Sequence, residues 1–161
     1  MTLIPTEPIG SIPRPVYLQQ AMQAFAKDEI SSSDLNKLFS QATRETIISL
    51  EATGSPVISD GEQGKPSFAT YPIHGALNLG AGGVVIPFED GHTRQLPVLA
   101  SGPFRYSQFA VDYLREAKQH TALPVKQAVI SASAMSLLYP GGGIDGYSQE
   151  QFIADLLNQA E

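Results

Sequence analysis

The sequence predicts an α/β fold. Short apolar runs alternate with stretches of helical periodicity. The apolar runs end in polar, Gly-containing turns, as strands do when they deliver side chains to the C-terminal mouth of a parallel sheet. The composition, 42% hydrophobic and 16% charged over 161 residues, is that of a chain able to build a sizeable core.

The elements follow in order. Ile4 to Pro15 carries four prolines around Ile9-Gly10-Ser11-Ile12 and reads as a short buried strand opening into a tight turn, with Pro15 at the first position of a helix. Leu18, Ala21, Met22 and Phe25 give that helix its apolar stripe, to Lys27-Asp28. Ser31 to Asp34 supplies the N-cap of a longer helix with Leu35, Leu38, Phe39, Ala42 and Leu50 on its apolar face and Gly54 as its stop. Pro56-Val57-Ile58 is too short for a helix and reads as a second strand, emptying into Ser59-Asp60-Gly61.

Residues 71–105 are rich in Pro and Gly, and Val84 to Phe88 before Asp90-Gly91 reads as one arm of a hairpin, so this stretch is expected to be an inserted β-ribbon. Phe109, Ala110, Tyr113, Leu114 and Ala117 restore helical spacing, and 124–130 reads as a third buried strand. A loop follows from Pro140 to Gly146. Ser148 and Gln151, at capping-box spacing, start a last helix with Phe152, Ile153, Leu156 and Leu157 apolar, running to Glu161.

Three strands separated by helices fit about the first three β/α units of a (β/α)8 TIM barrel, a fold that takes roughly 250 residues. A last helix with no C-cap, and Glu161 at the negative end of its dipole, reads as a truncated end; the alternative is a complete small α/β domain with a frayed helix. A truncated sheet would expose apolar edge residues such as Val57, Ile58, Val129 and Ile130, so a homo-oligomer or a complementary C-terminal half is expected to cover them.

Charge and composition exclude several functions. A net charge of −6 without any basic cluster argues against nucleic acid as a partner. No apolar run approaches the ~20 residues that span a bilayer, and the N-terminus lacks a signal-peptide layout, so a cytoplasmic protein without a membrane partner is expected. The chain has no cysteine, which removes both disulfides and the thiolate ligands of most zinc sites. None of His74, His92 and His120 stands in a metal-ligand spacing, and each reads as a surface or loop residue.

Three segments together resemble the cobalamin-independent methionine synthase family at the start of its catalytic barrel. They are Glu7-Pro8-Ile9-Gly10-Ser11-Ile12-Pro13-Arg14-Pro15, then Ser59-Asp60-Gly61-Glu62-Gln63-Gly64 with Ser67-Phe68, and Val125 to Pro140. The similarity looks closer to single-domain relatives, among them the epoxyalkane:coenzyme M transferases. It implies a zinc-dependent S-methyl- or alkyltransferase acting on a small thiol (homocysteine, or one like coenzyme M), with a methyl-folate-like or other alkyl donor. In such enzymes zinc lowers the pKa of the thiol. The family's zinc ligands are a His-x-Cys pair, a Glu and a later Cys, all in the second half of the barrel. This chain has none of them, so no bound zinc and no catalytic residue are expected here, and a non-catalytic remnant acting as a binding module is the other reading.

The resemblance also assigns substrate-binding residues. Ser11 stands where the family binds the carboxylate of the thiol substrate; capping the helix after Pro13 is its other possible role. Glu62 stands where an acidic residue faces the amino group of homocysteine. Asp60 is as much a turn residue as a site residue. Arg94 corresponds to a region that contacts the folate donor, or else is a solvated charge on the ribbon. Tyr139 lies beyond the third strand, near where the synthases carry a donor-packing Trp that this chain lacks. Lys126, early in the third strand, is expected at a rim or paired with a carboxylate.

Overall fold

A computed structural model describes residues 6–160. In chain order the elements are α1 (Val16–Phe25), α2 (Ser32–Glu51), β1 (Ile58–Ser59), β2 (Leu79–Gly80), β3 (Val85–Pro87), β4 (Thr93–Gln95), β5 (Val98–Leu99), α3 (Ala110–Ala117), β6 (Val125–Lys126), α4 (Ala132–Met135) and α5 (Gln149–Gln159). Short 3-10 turns cover Tyr71–Ile73 and Ser136–Leu138. They form two compact units: the described residues up to Phe68 with Ala110–Ala128, and Ala69–Phe109 with the described residues from Val129 on. Among the described residues no helix is long and apolar enough to cross a membrane.

In the first unit α1 follows the extended Pro15, which sits just outside the helix as its N-cap. Leu18 and Ala21 pack against Leu35 and Ala42 of α2. The forecast cap of α2 is present, with Ser31 Oγ accepting the Asp34 N–H at 3.1 Å. Further along α2, Ile47 closes over Ile58 of β1 and Ala117 of α3, all three fully buried. β1 and β6 pair in parallel, Ile58 opposite Val125 and Ser59 opposite Lys126. Lys126 meets a carboxylate, with Nζ 3.2 Å from Glu7 Oε2.

The α/β alternation stands, but the parallel sheet is one short pair among the described residues. The strand expected at Ile9–Ile12 is extended coil, and Ile9 is 97% exposed rather than buried. Pro8 and Pro13 remove the N–H groups a ladder needs on either side of it. The segment is tied to the end of β1 instead, by Ile12 N–H to Gly61 O (3.0 Å) and Ser59 Oγ to Gly10 O (3.0 Å). The strand expected over 124–130 pairs only at Val125–Lys126. Beyond it the carbonyl of Ala128 accepts from Lys65 Nζ at 2.9 Å, a side-chain donor where a ladder would have used a backbone one. Ile58 is fully buried and Val129 is 45% exposed.

The second unit bears out the hairpin: β3 and β4 pair antiparallel, with Ile86 opposite Arg94, around a turn in which Gly91 has φ 87°. β2 and β5 form a second antiparallel pair. The ribbon stretch does not stand apart, because Ile73, Leu99 and Phe104 share a core with Met135, Leu138, Tyr147, Phe152 and Leu156. The capping box of α5 is complete. That helix ends at Gln159, and Glu161 lies outside the described residues. α4, capped by Ser131 Oγ accepting from the Ala134 N–H (3.2 Å), was not foreseen.

Candidate functional site

The functional candidates of the first unit meet in the turn that follows β1. Ser59 Oγ bridges it, donating to Gly10 O and accepting the Gly61 N–H at 3.1 Å. Gly61 and Glu62 are both left-handed, with φ of 65° and 57°. For Gly61 that conformation is free of steric cost, and a Cβ there would press on Thr46 Cγ2 at 2.7 Å. For Glu62 it is strained, and non-glycine residues are held this way chiefly where the surroundings enforce it.

Three groups enforce it here. Asp60 Oδ1 accepts the Glu62 N–H at 2.9 Å, while Asp60 Oδ2 accepts from Gln127 Nε2 at 3.0 Å. The Arg14 guanidinium donates to the carbonyls of Glu62 (3.2 Å) and Gln63 (3.2 Å), and also to that of Lys65. Lys65, 1% exposed, reaches past the turn to Ala128 O with its ammonium over the Tyr113 ring, 5.3 Å from the centroid.

The result is a buried carboxylate pressed against a glycine. Glu62 is 9% exposed, and a Cβ added at Gly10 would lie 2.6 Å from its Oε1. Burial pushes the Glu62 carboxyl above its ordinary range; Lys65 and Arg14 pull it back, and Asp60 adds to the rise. Desolvation outweighing two nearby cations means that this carboxylate is poorly solvated by its surroundings. A further cation reaching it would be held strongly.

Of the residues singled out in the sequence, Ser11, Asp60 and Glu62 are gathered here. Ser11 is exposed, between Gly10 against the Glu62 carboxylate and Ile12 bonded to Gly61, and opens with Arg14 and Gln19 onto a hollow of about 480 Å³. Arg94 and Tyr139 belong to the second unit. Arg94 is exposed on β4. The Tyr139 hydroxyl donates to Tyr147 O at 2.7 Å, closing the Gly141–Gly143 loop, and its ring stacks on Phe152 at 5.5 Å. His120, read as a surface or loop residue, lies in the bend after α3, largely covered and 3.3 Å from Glu116 Oε1. Sequence reasoning missed Arg14, Lys65 and Gln127; the one available signal was an arginine between two prolines.

Zinc does not fit the donors of this chain. There is no cysteine, and among the described residues no three His, Asp or Glu side chains come close enough together to hold a metal.

No protein-family model matches the sequence. A methionine synthase of Sulfurisphaera tokodaii is 31% identical over 71 residues, 44% of this chain and 21% of that protein. The 5-methyltetrahydropteroyltriglutamate–homocysteine methyltransferase of Nitrosomonas europaea is 27% identical over 129 residues, 78% of this chain and 17% of that protein. The chain therefore matches only about a fifth of the length of these curated relatives. In fold it is similar to a B12-independent methionine synthase from Shewanella sp. W3-18-1, solved in complex with selenomethionine: the TM-score is 0.71 at 19% identity, over 98% of this chain and 46% of that one. The resemblance to methionine synthases read from the sequence is borne out.

Proposed function

We propose that this chain supplies the N-terminal portion of a methionine synthase-like (β/α)8 barrel, and that the turn after β1 receives the amino-acid end of a homocysteine-like thiol. The observation that carries this reading is the buried Glu62 carboxylate against the bare Cα of Gly10. An α-ammonium would bring donors to this carboxylate, which the absence of a side chain at Gly10 allows to lie against the backbone there. Ser11, next along the chain and exposed, is the group for the substrate carboxylate. The methyl donor is of the methyl-folate type. Support comes also from the Shewanella structure, whose bound selenomethionine has the ammonium and carboxylate groups of such a substrate.

With no cysteine in the chain and no group of three His, Asp or Glu side chains placed to hold a metal among the described residues, no zinc chemistry is assigned to this chain. The isolated chain is accordingly expected to retain no stoichiometric zinc after dialysis. Metal analysis checks this, and one zinc per chain would contradict it.

Ligand binding tests the site. L-Methionine should bind the isolated chain, while 4-(methylthio)butanoate, which lacks only the ammonium, should bind at least tenfold more weakly, since a lost hydrogen bond to a charged group costs ~1.5 to 3 kcal/mol. Binding of L-methionine should strengthen as pH rises through the raised pKa of Glu62, because only the ionised carboxylate attracts the ammonium. Equal affinity for the two compounds would remove Glu62 from the site.

A further inference from the structure

The turn after β1 does not use all of Arg14. Nε and Nη2 donate to the carbonyls of Gln63, Glu62 and Lys65, and Nη1 donates to nothing among the described residues. Carbonyl oxygens satisfy N–H groups without neutralising their charge, and no carboxylate among the described residues forms an ion pair with this guanidinium. Glu62 does not serve as one: of the neighbouring charges that act on its carboxyl, that of Arg14 acts most weakly. A partly buried guanidinium with one nitrogen unspent and its charge unmatched is suited to an oxyanion.

The hollow of about 480 Å³ that Arg14 lines has the matching character. Its polar walls are Ser11, Gln19 and Gln23, the others are apolar, and none is acidic. Gln19 is committed to the arginine, its Nε2 donating to Arg14 O at 2.7 Å. The Ser11 hydroxyl and the Gln23 amide are exposed and have no partner among the described residues. α1, which begins beside Arg14, has no acidic residue in its first turn to offset the positive end of its dipole.

We infer, on the reading that the turn after β1 receives the amino-acid end of the substrate, that Arg14 is itself a substrate-binding residue: Nη1 joins the Ser11 hydroxyl in holding the substrate carboxylate in this hollow. One guanidinium then has two roles, fixing the backbone from which Glu62 meets the ammonium and meeting the carboxylate directly. The site selects an α-amino acid over a thiol that carries only one of the two charges.

The charge at position 23 tests this without disturbing the turn, because Gln23 is exposed and bonds to no part of it. Gln23→Glu, Gln23→Lys and, as a control that adds a negative charge in the bend after α3, Gln119→Glu are compared with the unaltered chain. Amide shifts of the full ¹⁵N-labelled chain, at low and constant ionic strength, follow three ligands: L-methionine, 4-(methylthio)butanoate, which lacks the ammonium, and 3-(methylthio)propylamine, which lacks the carboxylate. Gln23→Glu should weaken and Gln23→Lys should strengthen the binding of both acids, each about threefold or more, and both differences should vanish in about 1 M salt. The amine should respond in the opposite sense or not at all, and Gln119→Glu should leave all three ligands unchanged. Acid affinities indifferent to the charge at position 23, an amine weakened by Gln23→Glu as the acids are, or an equal response to Gln119→Glu would overturn the inference. Failure of the Glu62 reading looks different: L-methionine and 4-(methylthio)butanoate would then bind equally, with their dependence on the charge at position 23 intact.

Discussion

Arg14→Ala should cost the first unit about 3 kcal/mol, because it removes charge-assisted hydrogen bonds to the carbonyls of Glu62, Gln63 and Lys65 at once. Those bonds span about 50 residues of sequence and hold a turn that contains a strained, left-handed glutamate. Lysine cannot replace them, since a single ammonium on a flexible stem does not reach three carbonyls with the fixed fork of a guanidinium; Arg14→Lys should recover less than half of the loss. Denaturant unfolding of the three proteins checks this. The same substitution should abolish L-methionine binding, because Glu62 would no longer be held against Gly10. A stable Arg14→Ala chain with unchanged affinity would show that the turn holds itself.

The second large effect has opposite signs in stability and in binding. Glu62 has a folded-state pKa above its ordinary 4.5, through burial first, so the native state prefers the protonated carboxyl. The stability this contributes is fully present below pH 4.5 and is lost as pH rises through the folded value; above that, the ionised carboxylate is a burden. Glu62→Gln should therefore raise the midpoint of thermal unfolding at pH 7 to 8, and the gain should vanish as pH falls to 4.5. In the same protein L-methionine affinity should fall by up to roughly 100-fold, for want of the anionic acceptor. A residue whose replacement stabilises the fold and destroys binding is kept for the binding. A destabilised Glu62→Gln at neutral pH would contradict the assigned cause of the shift.

What was legible in the sequence is what local chemistry dictates. Ser31 and Ser148 announce α2 and α5 because an N-cap is a bond between residues three apart, and Asp90-Gly91 announces the β3–β4 hairpin because the turn needs its positive φ. The strand expected at Ile9–Ile12 does not form because Pro8 and Pro13 remove the N–H groups on either side of that short apolar pattern. α4 was missed because four residues are too few to show a period. Within the site, the resemblance marked Ser11 and Glu62, but the residues that set Glu62 in place were invisible. Lys65 reaches Ala128 across 63 residues and Gln127 reaches Asp60 across 67, and no local pattern records such pairings. Lys65 in particular reads as a surface residue from its type alone, and the carbonyl and aromatic ring beside it in the fold are partners that its type does not announce.

The central claim, that the turn after β1 holds the amino-acid end of the substrate, is tested most directly by crystals of the chain grown with L-selenomethionine and measured at the selenium edge. The account predicts one ordered ligand, marked by its selenium peak, with the ammonium within hydrogen-bonding distance of the Glu62 carboxylate and the carboxylate beside Ser11. A ligand seated elsewhere on the chain, or crystals showing the Glu62–Gly10 contact intact and no selenium beside it at saturating concentration, would contradict it.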